Sequence, residues 1–486
     1  MSPSSLPPLV VGFDLDMTLL DTRPGIKRVW EAFSATTGVV VDSDLAVSRL
    51  GPPLSVEMAE WAEPQRIDEL IGTYRELYPN HAIEDSPMLP GARESLEAVP
   101  AAGGRVVVIT AKYAANAQLH LDHLGLSVDV LAGDLWGVGK GRALAEHGAT
   151  IYVGDHIHDV AGAKAAGALS VAVTTGPCSA DDLLAAGADV VLTNLTEFPA
   201  WLERHLLEQR LAALDDRLQE LGDVLVAFSG GADSAFLLAA AVRFLGPGHV
   251  AAATALSDSL PAGELEPARS FAASLGVRHL TPSTHELERE GYRANAGDRC
   301  YFCKAELVEV LIPLAAEHAI AHVATGTNAD DALAGFRPGI RAARERHAVT
   351  PLLDVGMTKQ QVRAASRLWN LPTWDKPAAA CLSSRIAYGI EVTPHRLARV
   401  DRAEAGVRAA LAAEGVEVEQ LRVRDLGAAG RVELDARALD RVAGSDLLAA
   451  VLDVVRAAGF DEAVVDPAGF RSGSMNELLS EAASYR

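Results

Sequence analysis

Asp14-Leu-Asp16-Met-Thr18 follows the apolar run Leu9-Val-Val-Gly-Phe13, and carboxylates at that spacing suit phosphoryl transfer. One can hold Mg²⁺ and attack phosphorus, while its neighbour two residues on protonates the leaving oxygen. Val106-Val-Val-Ile-Thr110 ends in a hydroxyl able to hold a phosphate oxygen, and Lys140 offers a cation to offset the charge crowded around a nucleophile. In Tyr152-Val-Gly-Asp-His-Ile-His-Asp159, Asp155 and Asp159 stand four apart, a spacing suited to Mg²⁺ and its waters. His156 and His158 read as neighbours of that cluster rather than ligands, and Cys178 as an ordinary loop thiol. A second set opens at Ser229-Gly230-Gly231-Ala-Asp233-Ser234. Two glycines let backbone N–H groups approach an anion, and a helix N-terminus adds its dipole. The Lys of a Walker P-loop is absent.

These residues need strands that end at them. Short apolar runs occur at Leu9–Phe13, Arg105–Ile109, Thr150–Val153, Ser170–Val173, Val224–Phe228, His249–Thr254 and His322–Thr325, alternating with helix-length amphipathic segments. That alternation predicts an α/β fold with parallel sheets. The apolar spacing of Leu206–Leu214 predicts a helix near the junction of two halves, and Ala235–Phe244 predicts another after the glycine loop. The expected division is 1–204, 205–375 and 376–486, with a helical cap inserted at about 21–85.

The chain has 486 residues, 49% hydrophobic and 22% charged, with a net charge of −22. Such a surface repels phosphate backbones, which disfavours a nucleic-acid binder. No apolar run approaches the roughly 18 residues of a membrane span. The N-terminus lacks the basic region of a secretory signal, and four Cys in this length form no disulfide scaffold. A cytoplasmic protein acting on small molecules is expected, as a homo-oligomer.

In order and spacing, residues 9–200 resemble the haloacid dehalogenase superfamily of phosphatases, the phosphoglycolate-phosphatase-like branch above all. The resemblance implies a doubly wound Rossmann-like domain with Asp14 as nucleophile, Asp16 as general acid/base, and Thr110 and Lys140 as phosphate holders. Asp14, Asp16, Asp155 and Asp159 would form the Mg²⁺ site, with Gly25–His81 as cap. Met17 stands where many relatives carry Gly. A degenerate domain that only docks a partner is the alternative; the presence of all the acidic groups argues against it.

From residue 207 on, the glycine loop resembles the pyrophosphate loop of ATP pyrophosphatases. With it come Asp298-Arg-Cys300-Tyr-Phe-Cys303-Lys304, Thr325-Gly-Thr-Asn-Ala-Asp-Asp331, Arg337-Pro-Gly339, Trp374-Asp-Lys-Pro-Ala-Ala-Ala-Cys381-Leu-Ser-Ser-Arg385, Leu421-Arg-Val-Arg424 and Gly469-Phe-Arg-Ser-Gly-Ser-Met-Asn476. Together these resemble the LarE family, ATP-dependent sulfurtransferases of nickel-pincer nucleotide synthesis. The resemblance implies a second doubly wound domain, a smaller C-terminal sulfurtransferase subdomain, and conversion of pyridinium-3,5-biscarboxylic acid mononucleotide to a thiocarboxylate through an acyl-adenylate. Ser229, Gly230, Gly231, Asp233 and Ser234 would bind ATP with Mg²⁺, Glu404 would serve catalysis, and Arg385, Arg422 and Arg424 could grip phosphate or carboxylate as guanidinium forks or form surface ion pairs. Relatives with one cysteine at the position of Cys381 surrender its sulfur, whereas relatives with three are suited to a [4Fe–4S] cluster. Here Cys300, Cys303 and Cys381 are present, and three thiolates leave one iron open to sulfide. Structural Zn²⁺ is the rival, but a closed zinc site wants four ligands. Sulfide or a cysteine desulfurase would be the ultimate donor. A tRNA-thiolating enzyme shares this chemistry, and the acidic charge argues against it.

Overall fold

In the computed structural model of the chain, residues 7–333, 338–377, 380–471 and 475 are described. Arg337, Ala378, Ala379, and Ser472, Gly473, Ser474 and Asn476 of the closing motif lie outside the described residues. Two compact units divide the chain between Leu206 and Leu207, slightly beyond the break expected after residue 204. The helix Phe198–Leu221 runs through that point.

The N-terminal unit is built on β1 (Val10–Phe13), β2 (Arg105–Ile109), β3 (Val130–Ala132), β4 (Ile151–Gly154), β5 (Leu169–Val173) and β6 (Val190–Leu192). All pairs are parallel, in the order β3-β2-β1-β4-β5-β6. Strand order reverses between β1 and β4, and a doubly wound sheet binds ligands outside the carboxyl ends at that reversal. Asp14 and Asp155 are the residues that follow these two strands. The strands are apolar on both faces because helices cover both.

The cap comprises the helices Arg23–Thr37, Ser43–Ser48, Leu54–Met58 and Ile67–His81. In the first, a proline stands in the opening turn and Gly38, at φ 74°, ends it. Ile26, Val29, Trp30 and Phe33 recur at helical spacing and meet Leu70, Tyr74 and Tyr78 of the last helix. The cap thus has its own core.

The C-terminal unit contains β7 (Val224–Ala227), β8 (Val250–Ala253), β9 (Arg278–Leu280) and β10 (His322–Thr325), parallel in the order β10-β7-β8-β9. The helix Ala232–Leu245 is buried along most of its length, which explains its nearly continuous apolar sequence. It begins three residues before the expected start, so Asp233 and Ser234 stand in its first turn.

A third sheet, in the C-terminal stretch, is mixed. β11 (Leu421–Asp425) pairs antiparallel with β12 (Ala429–Leu434), which pairs parallel with β13 (Glu462–Val465). Residues 376–486 do not separate as a compact unit of their own. Tyr292, Phe302 and Cys303, from the preceding stretch, pack into the core of this sheet. Asp425 is fully buried and accepts hydrogen bonds from Arg399 at 2.6 Å and Arg396 at 2.9 Å. Asp425→Ala leaves the Arg399 guanidinium buried and uncompensated, so a loss of about 3–5 kcal/mol is expected in urea denaturation of the full chain.

Candidate functional sites

At the β1/β4 reversal, Asp14, Asp155 and Asp159 bring one carboxylate oxygen each within 4.8 Å of one another, and all three are buried. Lys140 Nζ lies 3.0 Å from Asp14 Oδ1 and 2.6 Å from Asp159 Oδ1. One ammonium cannot neutralise three carboxylates. Burial and the charges of Asp159 and Asp16 push Asp14 up to about 7 against the pull of Lys140, and burial with Asp159 and Asp14 raises Asp155. A compact set of buried hard oxygen donors, with more negative charge than one ammonium offsets, fits Mg²⁺.

The expected fourth ligand is not in this triad. Asp16 faces Lys112, whose Nζ lies 2.6 Å from Asp16 Oδ1. Burial opposes the Asp16 charge, but Lys112 and the Thr22 hydroxyl outweigh it and hold the carboxyl below its ordinary value. Lys112, two residues past Thr110, is a site residue that sequence reading missed. Thr110 is buried at the end of β2, and its hydroxyl accepts from Lys112 N. Met17 adopts φ 58°, a left-handed conformation costing a non-glycine residue about 1 kcal/mol, so glycine would sit here without strain. His156 and His158 stack on each other, ring centroids 4.9 Å apart, and His158 meets the Trp136 ring at a tilt, 4.4 Å apart. They are not in the carboxylate triad. A cavity of about 310 Å³ lies between these residues and the cap.

In the second unit, Ser229, Gly231, Asp233, Ser234, Thr254, Lys304, Gly326 and Asp331 line a cavity of about 350 Å³ at the carboxyl ends of β7 and β10. Gly230 has φ 71°, a conformation that favours glycine. A Cβ on Gly326 would fall 2.8 Å from Ser234 N, so glycine alone permits this approach. The loop braces itself, with Ser234 Oγ 3.1 Å from Ser229 Oγ and from Gly231 O. Burial raises Asp233, which accepts from Asn328 at 3.1 Å. Lys304, quoted in the cysteine motif but given no role from sequence, is a nearby cation whose burial lowers its pKa.

A third cavity, of about 400 Å³, is lined by Arg385, Arg408, Arg422, Glu404, Glu264 and Lys376 among others. Arg385 binds Glu404 through Nε at 2.9 Å and Nη2 at 3.2 Å, and donates to the Cys381 carbonyl at 2.9 Å. Burial and the repulsion of Arg385, Arg424 and Arg408 bring Arg422 down to about 10. Guanidinium groups crowded around Arg422 make a site for an anion. Glu404 is itself held, accepting from Val423 N at 3.0 Å, so it positions Arg385. Arg424 does not line the cavity; it ion-pairs with buried Glu433 at 2.8 Å and donates to the Ser384 carbonyl. Lys376, also missed from sequence, reaches Gly230 O at 3.0 Å and Glu264 at 2.7 Å.

Cys300 is exposed, Cys303 and Cys381 half-buried, and burial with the charges of Cys381, Glu286 and Cys300 raises Cys303. Beside them, Arg299 is 5% exposed and bonds only neutral oxygens, Asn295 Oδ1 and Ser383 O. Burial works against its charge, and Cys381 and Cys300 more than offset this. A buried guanidinium favours acidic neighbours, and for Arg299 these are Cys381 and Cys300, with Tyr388 and Tyr292. Among the described residues the three sulfurs do not converge as the carboxylate triad does.

The chain is similar to an uncharacterised protein of Synechocystis sp., 39% identical over 276 residues, or 57% of this chain and 100% of that protein. It is also similar to the pyridinium-3,5-bisthiocarboxylic acid mononucleotide synthase of Lactiplantibacillus plantarum, 32% identical over 277 residues, 57% of this chain and 97% of that protein. The chain belongs to the LarE family. Its LarE-like part lies outside the N-terminal region, where the haloacid dehalogenase-like hydrolase family model matches residues 11–164 and a second hydrolase-like model matches 140–198. The pyrophosphatase PpaX of Halalkalibacterium halodurans is 30% identical over 177 residues, 33% of this chain and 81% of that protein. The N-terminal region is a haloacid dehalogenase-like domain, and both parts of this LarE-family chain are homologous to enzymes. Among the described residues no helix is long and apolar enough to cross a membrane.

Proposed function

We propose that the chain is a sulfurtransferase that uses ATP to convert a carboxylate of pyridinium-3,5-biscarboxylic acid mononucleotide to a thiocarboxylate, joined to a Mg²⁺-dependent phosphohydrolase. The observation that carries the first activity is Lys376. It lines the arginine cavity while bonding the Gly230 carbonyl of the loop that bounds the other cavity. One side chain thus joins an anion-binding pocket to a phosphate loop, which is where a carboxylate must meet the α-phosphate of ATP. The relative named for a bisthiocarboxylic mononucleotide supports the substrate.

In this reading Ser229, Gly230, Gly231, Asp233 and Ser234 hold the nucleotide, while Arg385 and Arg422 hold the acid. A carboxylate oxygen attacks the α-phosphorus, the bond to the β-phosphate breaks, and pyrophosphate leaves. Sulfur then attacks the acyl carbon and AMP departs. Cys300, Cys303 and Cys381 are suited to a [4Fe–4S] cluster, which when bound would offer an open iron for a deliverable sulfide. Arg299 supplies the buried counter-charge, and Arg385 orients the Cys381 backbone. Lys376→Met should lower pyrophosphate release about 100-fold while ATP binding falls less than tenfold, since the alignment of acid pocket and phosphate loop that Lys376 bridges counts chiefly in the transition state. Stopped assays for pyrophosphate and equilibrium dialysis with ATP separate the two.

For the hydrolase, Asp14 attacks phosphorus, the ester P–O bond breaks, and the leaving oxygen takes a proton through Asp16, which draws it from the paired Lys112 ammonium. Water then splits the aspartyl phosphate, with Asp16 as base. Mg²⁺, when bound by Asp14 and Asp155 with Asp159 beside them, would neutralise the transferring group. Phosphate release from p-nitrophenyl phosphate that requires Mg²⁺ and Asp14 tests this activity.

A further inference from the structure

From the walls of the cap cavity we infer that the hydrolase acts on nucleoside 5′-monophosphates with an uncharged planar base; the inference rests on the phosphohydrolase reading above. The cavity, about 310 Å³, has the size of an organic-ligand pocket rather than an inorganic-anion site. Its phosphate end is set by Asp14, Thr110 and Lys112. Its far end decides what the phosphate carries.

That end contains two arginines, and each guanidinium has a carboxylate against its charge, while the Nε of each is buried without a hydrogen bond. Arg49 pairs with Glu57 at 2.8 Å and Glu60 at 3.5 Å. Arg75 pairs with Asp134 at 3.2 Å and lies over the Tyr113 ring at 3.9 Å. A substrate with a second anionic end, such as a diphosphate or a phosphorylated acid, needs an uncompensated cation there. It would instead meet Glu57 and Asp134. The same carboxylates can accept hydrogen bonds from ribose hydroxyls or an exocyclic amine. Between the two ends, Trp136 and Tyr113 with Leu50 and Leu54 offer aromatic and apolar surface for a ring. Trp136 is fixed from behind by His158, with ring centroids 4.4 Å apart.

AMP has this chemistry, and it is the by-product of the proposed sulfur transfer. The hydrolase would then remove a product of the other site: water adds to phosphorus, the ester P–O bond breaks, and adenosine leaves with a proton on its 5′ oxygen. Pyridinium-biscarboxylic mononucleotide carries two carboxylates and is refused at the same walls, which spares the precursor.

The test measures phosphate release by the full chain with Mg²⁺ from AMP, pyrophosphate, 2-phosphoglycolate and the biscarboxylic mononucleotide, with Asp14→Asn as blank. AMP should exceed each of the others at least tenfold in kcat/KM. Trp136→Ala should lower the AMP value about tenfold more than that for 2-phosphoglycolate, the scale of one lost stacking partner. Asp134→Asn frees Arg75 and should shift preference severalfold toward 2-phosphoglycolate, a gain that misfolding cannot produce. Asp134 has φ 58°, which asparagine tolerates. Preference for pyrophosphate or 2-phosphoglycolate, or no shift in Asp134→Asn, overturns the inference. Absence of release from all four and from p-nitrophenyl phosphate overturns the hydrolase reading itself, and the inference with it.

Discussion

Asp14→Asn should release phosphate at least about 10⁴-fold more slowly than the unaltered chain, the scale on which loss of a nucleophile acts. The substitution keeps the shape of the side chain and removes the attacking carboxylate. It also withdraws one of three negative charges from a buried cluster that has one lysine, Lys140, against it. A folding failure is therefore not the expected cause of the loss, and circular dichroism should show native helix content. Malachite-green assays with p-nitrophenyl phosphate or AMP measure the rate. Retention of more than a tenth of the activity would move the nucleophile elsewhere, whereas no activity in the unaltered chain would revive the reading of a domain that only docks a partner.

Cys381→Ala should stop thiocarboxylate formation, with at least about a 10³-fold loss, while pyrophosphate release continues at a comparable rate. Adenylylation depends on the phosphate loop, Lys376 and the arginine cavity, whereas the sulfur arrives from the thiol side. The structure ties the two together through the backbone: Arg385 holds the Cys381 carbonyl, a contact that alanine keeps. A sacrificial Cys381 and a cluster ligand both require this residue, so Cys300→Ala divides them. Loss of transfer in Cys300→Ala, with loss of iron and acid-labile sulfide, follows from a cluster. A single full turnover in Cys300→Ala follows from sacrifice. Mass spectrometry of the nucleotide product and metal analysis read the outcomes, and Arg299 beside these sulfurs favours the first.

Strands β1, β2, β4, β7 and β10 were legible because each is an apolar run ending in residues that carry chemistry. Edge strands such as Val130–Ala132 and Arg278–Leu280 have three residues, too few for a period to register. The site residues missed from sequence share one property, that their partners lie far along the chain. Lys112 meets Asp16 across 96 residues and Lys376 meets Gly230 across 146. Arg299 looked like part of a cysteine motif, and only burial without a carboxylate partner gave it a role. Arg424 shows the converse: its type and spacing matched Arg422, but Glu433 on the neighbouring strand claims its charge. Asp16 likewise fits a metal site by spacing, while Lys112 turns it to a different task.

The most direct measurement is pyrophosphate and AMP formed by the full chain, reconstituted anaerobically, with ATP, Mg²⁺ and pyridinium-3,5-biscarboxylic acid mononucleotide. Asp14→Asn should be used as enzyme so that the hydrolase leaves both products intact. Equimolar pyrophosphate and AMP, formed only with the mononucleotide present and accompanied by its thiocarboxylate, is the predicted result. Absence of pyrophosphate, or release that needs tRNA in place of the mononucleotide, would contradict it.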